Sequence, residues 1–194
     1  MNPIACSKYL CLLIVLLAAV VPPATCAEKL NSYHNEEFRF SFQYPASWVE
    51  RPGSVPNLQV KVAAPANTQA AECAVVVKRY PKATSAKQSD IDQIFLVPPT
   101  PSEVEEVFSQ ANNDFKVSKA GTGTLHSHPA HIARVKYKTA ENSYASGRVL
   151  MTATPGLTWT LSCSGLGGTP AEAEKNYQFW EGKINNLISS FKFR

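Results

Sequence analysis

The chain has 194 residues, of which 44% are apolar and 18% charged, and this composition can bury enough hydrophobic surface to offset the entropy of ordering a globular fold. A wholly disordered chain is therefore excluded, and so is a collagen-like one, because the 9 glycines and 14 prolines follow no period. The net charge of +4 is small and there is no long basic run, so we expect no nucleic-acid partner. A chain of this length predicts one domain rather than two.

Residues 1–27 have the pattern of a cleaved secretory signal peptide. Their twelve-residue apolar core, residues 10–21, follows Lys8 and precedes two prolines. A membrane-spanning helix needs about 20 apolar residues, so this core is too short to be one. We expect cleavage after Ala27, which leaves residues 28–194 as a single periplasmic or secreted domain. A retained membrane anchor is the alternative.

Cys26 allows a second alternative, in which this cysteine is acylated and becomes the N-terminus of a lipoprotein. A lipobox prefers leucine where this sequence has Pro23, and Gly, Ala or Ser where it has Thr25. We therefore favour cleavage after Ala27. No transmembrane segment is expected after that cleavage.

The first half of the domain predicts three strands. Residues 38–44 alternate aromatic and polar side chains, which places four rings on one face of a strand, and that face must be buried. Pro45 stops this strand because proline cannot donate to a sheet. Residues 58–62 and 73–80 alternate in the same way. The four rings are those of Phe38, Phe40, Phe42 and Tyr44.

Residues 81–101 predict a long connection with one helical turn around residues 90–96. Connections of this length are uncommon unless they cover something or move. The connection ends in a capping box formed by Thr100 and Glu103. Apolar residues then recur at helical spacing, which predicts a helix over residues 101–112.

The second half predicts a meander of strands and a closing helix. The predicted strands are residues 115–119, 122–126, 131–138, 145–153 and 157–163, the last two joined around Pro155 and Gly156. Glycines at 165, 167 and 168 should end the sheet. Thr169 and Glu172 repeat the capping pattern, and one apolar stripe then predicts a helix of about twenty residues. We expect Gly182, inside that helix, to allow close packing on the sheet.

Cys73 and Cys163 are the two cysteines that remain after the leader is removed. An oxidising compartment lets two such thiols form a disulfide. Both lie on the apolar faces of predicted strands, and we predict a bond between neighbouring strands. No C-x-x-C motif occurs, so a thioredoxin-type redox site is not expected.

The opening strand with its Tyr44-Pro45-x-x-Trp48 ending, the meander, and the closing helix with Ile188-Ser189-Ser190-Phe191 resemble the PsbP-like proteins. That superfamily includes photosystem II extrinsic subunits, the bacterial DcrB-type (DcrB-like) periplasmic proteins and the Ran-binding Mog proteins. The resemblance covers residues 33–194 and implies an α+β fold, an α/β/α sandwich with a central mainly antiparallel sheet covered by amphipathic helices. It also implies non-enzymatic work. The leader points to the bacterial exported branch, because Ran binding is cytosolic or nuclear.

His126, His128 and His131 lie within six residues. On a strand, His126 and His128 point to the same side about 6.6 Å apart, and two such imidazoles can share Zn²⁺ or Cu²⁺, with His131 as a third ligand. The alternative is a solvated hairpin tip in which Pro129 and Ala130 make the bend. We favour this alternative because no Cys, Asp or Glu in the cluster completes a structural zinc site.

Arg134, Lys136 and Lys138 form a basic stripe on one face of a predicted strand. This stripe could dock an acidic partner or anionic lipid headgroups. Lys and Arg on an exposed strand also prevent sheet-to-sheet aggregation, and we favour that interpretation.

Motifs for catalysis are weak, and we assign no catalytic residue. The segment around Cys163 lacks the G-x-S-x-G frame of a nucleophile elbow. The glycine-rich turn at 165–168 precedes a helix, as anion cradles do, but lacks a P-loop lysine. Our first hypothesis is therefore a non-enzymatic exported protein without a cofactor that contacts an envelope protein partner. The alternative is a divalent-metal-binding protein, and the third hypothesis is an uncharacterised hydrolase.

Overall fold

The computed structural model describes residues 28–109, 114–139 and 141–194. The predicted leader, residues 1–27, and with it the cleavage site and Cys26, lie outside the described residues. A short 3₁₀ turn, Pro81–Ala83, precedes the first helix. The elements in chain order are β1 (Leu30–Asn35), β2 (Phe40–Pro45), β3 (Val49–Glu50), β4 (Leu58–Ala63), β5 (Ala71–Arg79), α1 (Gln88–Leu96), α2 (Pro101–Ser109), β6 (Lys116–Leu125), β7 (His128–Lys138), β8 (Tyr144–Thr154), β9 (Leu157–Gly167), α3 (Pro170–Ser190) and β10 (Lys192–Phe193).

The strands form two sheets in which every pairing is antiparallel. The large sheet has seven strands in the order β3-β4-β5-β9-β8-β7-β6, and the small one has the order β1-β2-β10. This arrangement confirms the predicted α+β fold with a central antiparallel sheet.

Helices lie on both faces of the large sheet. Alternate residues of a strand point to opposite faces, and on β7 Arg134 reaches Glu174 of α3 while Val135 packs in a cluster with Val104 of α2. Helix α3 also lies against β2 of the small sheet, and α1 lies against β7 and β8. No helix in the described ranges combines the length and apolarity that a membrane crossing requires.

The main core lies between the large sheet, α3 and the small sheet. Phe40, Phe42 and Tyr44 are buried as predicted, and Phe38 is partly buried against the same core. The Phe40 ring stacks on Phe191 at 5.4 Å between centroids. The alternation of rings along β2 therefore builds the contact between the two sheets.

Cys73 and Cys163 form the predicted disulfide. They face each other directly in the β5–β9 pairing, with 4.1 Å between their Cα atoms. Both side chains are buried in the main core. The bond ties together strands that are 90 residues apart in the sequence.

Helix α3 begins where its capping pattern predicts. The Thr169 hydroxyl accepts a hydrogen bond from the Glu172 N–H at 3.2 Å, and Glu172 accepts one from the Gly168 N–H at 2.8 Å. The expected close packing at Gly182 is wrong, because this residue is exposed and a Cβ there would have no neighbour within 4 Å. Close packing occurs at Gly165 instead, where a Cβ would lie 2.1 Å from the Tyr177 backbone nitrogen.

Three predicted boundaries differ from the structure, and a fourth cannot be compared. The glycines at 121 and 123 do not divide β6, which runs continuously beside β7 with one register shift. The glycines after 163 do not end the sheet, because β9 continues to Gly167. Helix α1 spans nine residues rather than one turn. Helix α2 is described from Pro101 to Ser109, and residues 110–112 of the predicted helix lie outside the described residues.

Candidate interaction surface

The long connection predicted between strands folds as two short helices that cover one face of the large sheet. Helix α1 buries Ile91, and α2 buries Val104. The partly buried Phe108 of α2 stacks on Phe115 with 4.7 Å between ring centroids. Because each helix buries so little of its own surface, most of both helices remains on the outside of the domain.

The capping box of α2 is present as predicted. The Thr100 N–H donates to the Glu103 carboxylate at 2.7 Å, and the Glu103 N–H donates to the Thr100 hydroxyl at 3.3 Å. Hydrogen bonds from the Thr100 backbone and hydroxyl hold the pKa of Glu103 below its usual value. The carboxylate is therefore ionised at neutral pH and adds negative charge to the start of α2.

Helix α1 is attached to the sheet by polar contacts and one ring contact. The Gln88 side-chain amide donates to the Ala153 carbonyl at 3.1 Å and to the Asp92 carboxylate at 2.7 Å. The Phe95 ring lies 4.8 Å from the His131 ring. These contacts hold α1 on β7 and β8.

The α1–α2 segment carries a concentration of exposed apolar side chains. Ile94 is 64% exposed, Leu96 54% and Val97 66%, all at the end of α1, and Val107 on α2 is 64% exposed. Large apolar side chains at this exposure cost solubility unless a partner covers them, and such patches mark interaction sites. We name these four residues the α1–α2 surface.

The charge of this segment differs from that of the rest of the chain. Residues 88–109 contain five of the 15 acidic residues and none of the 19 lysines and arginines. The rest of the chain therefore has ten acids against 19 bases. An acidic segment with exposed apolar side chains thus stands on a basic domain. The five acids are Asp90, Asp92, Glu103, Glu105 and Glu106.

The three histidines of the predicted metal site are distributed around one end of the large sheet. His126 is in the two-residue turn between β6 and β7, with φ of 53°, and its Nδ1 accepts a hydrogen bond from the Phe193 N–H at 3.4 Å. His128 lies 3.5 Å from the Asp92 carboxylate. His131 faces the opposite side of β7 from His128, because they are three residues apart on one strand.

The structure gives no support to a metal centre here. Within the described ranges, no three His, Cys, Asp or Glu side chains are grouped so that they could hold one metal ion. The expected bend at Pro129 and Ala130 is also wrong. Both residues belong to β7, and the chain turns at His126 and Ser127.

Arg134 does not lie on an open strand face, and Lys136 beside it is half exposed. They contact Glu174 of α3, at 2.6 Å from Arg134 and 3.4 Å from Lys136, and the Arg134 guanidinium lies 3.7 Å from the centre of the Tyr177 ring. Strand β7 is an inner strand, because β6 covers its outer side. The favoured interpretation, an exposed strand protected against aggregation, therefore fails for Arg134. Lys138 is partly buried at the end of the same strand.

Glu174 is the centre of this internal network. Partial burial acts to raise its pKa, but the Ser146 hydroxyl, Arg134 and Lys136 together hold that pKa below its usual value. The Ser146 hydroxyl donates to the carboxylate at 2.7 Å. Two of the three charges of the predicted basic stripe thus serve the packing of α3 on the sheet.

The two weak catalytic signals have structural roles. Cys163 is buried in the disulfide and offers no free thiolate. The turn at 165–168 borders a polar groove of about 620 Å³, but Glu172 already accepts the hydrogen bond of the Gly168 N–H at the start of α3. An anion at this helix start would compete with that carboxylate.

Comparison with known proteins identifies the fold. No protein-family model matches the sequence, and no curated protein matches it either. Solved structures do match: the cyanobacterial PsbP protein CyanoP from Synechocystis sp. PCC 6803 is 16% identical with a TM-score of 0.53, over 88% of this chain and 96% of its own. The chain has the PsbP/Mog fold.

Two further structures extend this likeness to other organisms. LpqN of Mycobacterium tuberculosis, described as involved in cell envelope biogenesis, is 11% identical with a TM-score of 0.50, over 86% of this chain and 91% of its own. The Ran-binding protein Mog1p of Saccharomyces cerevisiae is 9% identical with a TM-score of 0.51, over 86% of this chain and 96% of its own. The resemblance drawn from the sequence is therefore confirmed for the fold.

The α1–α2 surface was not among the residues singled out from the sequence. One pattern in the sequence could have indicated this surface. Residues 88–109 contain no lysine or arginine, and they include the three apolar residues Ile94, Leu96 and Val97 close together. A helix that must bury only one side has no structural need for apolar residues around its end.

Proposed function

We propose that this chain is an exported accessory protein without catalytic activity, which works by binding another protein of the cell envelope through the α1–α2 surface. The observation that carries the proposal is the exposure of Ile94, Leu96, Val97 and Val107 on a segment that otherwise packs only lightly on the sheet. A surface of this kind is expected to be covered when the protein is at work.

The location outside the cytoplasm is supported by two features. The buried Cys73–Cys163 disulfide fits an oxidising compartment, because cytosolic thiols are kept reduced. The sequence of residues 1–27 fits a signal peptide. LpqN, which shares the fold, is described as involved in cell envelope biogenesis, so the fold is compatible with work that concerns the envelope.

The side chains that could have carried out catalysis make structural contacts instead, and this supports a role without catalysis. Cys163 is a disulfide partner, Glu174 binds Arg134 and Ser146, and Glu172 caps α3. The binding role has a parallel in the fold, since Mog1p is described as a Ran-binding protein. Fold alone does not transfer a function, and the proposal therefore needs a direct test.

The test is site-specific photo-crosslinking in intact cells of the organism that makes the protein. A photoreactive amino acid replaces Val97 in one variant and Phe179 in another. Phe179 is a matched control, because it is 59% exposed against 66% for Val97, but lies on α3. We expect a discrete cross-linked protein from position 97 only. Equal products from both positions, or none from position 97, would contradict the proposed surface.

A further inference from the structure

We infer that the partner presents a cationic surface with an apolar groove, whose lysines or arginines face the acids around the α1–α2 surface. This inference rests on the proposed function and adds the chemistry of the partner. It follows from the charge of the segment, the shape of its exposed side chains and the charge of the remaining domain.

The charge of residues 88–109 favours a partner of opposite charge. Five carboxylates and no cationic side chain occur in residues 88–109, whereas the ten residues before the segment contain four bases, Lys78, Arg79, Lys82 and Lys87. Opposite charges across an interface speed association and exclude wrong partners, whereas like charges opposite each other are costly. An acidic segment therefore selects against anionic lipid headgroups and nucleic acids.

The negative charge of the segment also disfavours a symmetric dimer through this surface. A two-fold interface brings the same patch of both copies together, and here it would place one acidic segment against another. The basic remainder of a second copy would satisfy the charges, but such a head-to-tail contact builds a ring or an open filament of many copies. A different, cationic protein meets the charge requirement without that consequence.

The exposed apolar residues of α1 indicate the shape of the partner's surface. Ile94, Leu96 and Val97 are exposed within four residues at the C-terminal end of α1, and two prolines, Pro98 and Pro99, follow directly. A helix that presents exposed apolar side chains docks into a hydrophobic groove of its partner, so we assign the groove to the partner. Apolar anchors at the centre with charges at the rim are the usual anatomy of a specific interface.

The experiment first measures binding of two defined peptides to the full exported domain. The first is an amphipathic helix with lysine on one face and leucine on the other, and the second has glutamate in place of lysine. We expect the lysine peptide to shift the backbone amide signals of residues 88–109 in nuclear magnetic resonance spectra. Equal shifts from both peptides, or shifts located on another part of the domain, would overturn the inference.

Two charge variants then separate local from overall charge. Asp90→Asn with Glu106→Gln removes two acids from the segment, and Glu36→Gln with Glu141→Gln removes two exposed acids elsewhere. Exposed ion pairs are individually weak, so we expect the loss of two of them to weaken binding of the lysine peptide to the first variant about fivefold. The second variant should bind like the unchanged protein. Equal weakening in both would show only a net-charge effect and would refute the inference.

The cross-link from position 97 separates a failure of the proposed function from a failure of the inference that the partner is cationic. Charge-driven contacts weaken with ionic strength, because the Debye length falls from about 10 Å at 0.1 M salt to about 3 Å at 1 M. We expect the yield in isolated envelopes to fall at least fivefold between those concentrations and in the Asp90→Asn, Glu106→Gln variant. A cross-link that forms but ignores both changes would leave the proposed function standing and overturn the cationic partner. A cross-link to a second copy of the chain would overturn the cationic partner as well.

Discussion

Removal of the Cys73–Cys163 disulfide should cost this domain a large part of its stability. The perturbation is the double variant Cys73→Ala, Cys163→Ala, since alanine avoids placing a hydroxyl in the buried core. The bond joins residues 90 positions apart, and the loop-entropy relation gives about 4.6 kcal/mol at 25 °C for a loop of that length. A domain of this size has a total stability of about 5–15 kcal/mol, so the loss is severe.

The assay is urea unfolding followed by tryptophan fluorescence, with the free energy of unfolding extrapolated to water. We expect the double variant to lose about 4 kcal/mol and its melting temperature to fall by on the order of 10 °C. The m-value should also rise, because the unfolded chain without the bond is more expanded. Wild-type protein in reductant should behave like the variant.

Val75→Ala is the matched control, because Val75 is buried on the same strand but closes no loop. It should cost about 1–3 kcal/mol through lost packing, with an unchanged m-value. The mass of the wild-type protein should first show that the disulfide is closed. If the double variant then lost less than about 1 kcal/mol of unfolding free energy, the loop-entropy reasoning would be refuted.

Three further predictions concern α3 and its contacts, and chemical denaturation measures each of them. Gly182→Ala should stabilise the domain by about 1 kcal/mol, because the site is exposed and a new methyl there meets nothing. Gly165→Ala should destabilise the domain by about 2 kcal/mol or more, because the new methyl meets the α3 backbone. Equal effects of the two substitutions on the free energy of unfolding would contradict the described packing. Thr169→Ala should cost about 1 kcal/mol through the lost cap, and no loss would show that the cap is not formed. The lowered pKa of Glu174 contributes stability that is complete above the unfolded-state pKa, near 4.3, and is lost as the pH falls through the lower folded-state pKa. Glu174→Gln should therefore lose about 2 kcal/mol at pH 7 and flatten the acid limb of the stability curve; an unchanged acid limb would argue against this ion pair.

Much of the fold could be predicted because its core depends on simple alternation. The burial of Phe40 and Phe42 and the pairing of Cys73 with Cys163 follow from apolar faces on strands. Strand β1 was missed because only Tyr33 provides a ring and most of its residues are exposed at the edge of the small sheet. A strand that buries so little leaves no periodic signal.

Other features depend on tertiary context that a sequence pattern does not contain. His126 adopts a positive φ, which is uncommon for any residue other than glycine, so the sequence pattern favoured the bend at Pro129 instead. Arg134 points inward because Glu174, 40 positions away, meets it on α3. A period of two shows that Arg134 and Val135 face opposite ways, but both faces of β7 are covered by helices, and only the fold shows this.

The claim on which the account depends is that the folded domain works outside the cytoplasm, where its disulfide is stable and an envelope partner is available. Mass spectrometry of the protein isolated from its own organism tests this claim most directly. We predict a chain that begins at Glu28, with no lipid and with Cys73 bonded to Cys163. A chain that retains residues 1–27 and carries both cysteines as free thiols would contradict it.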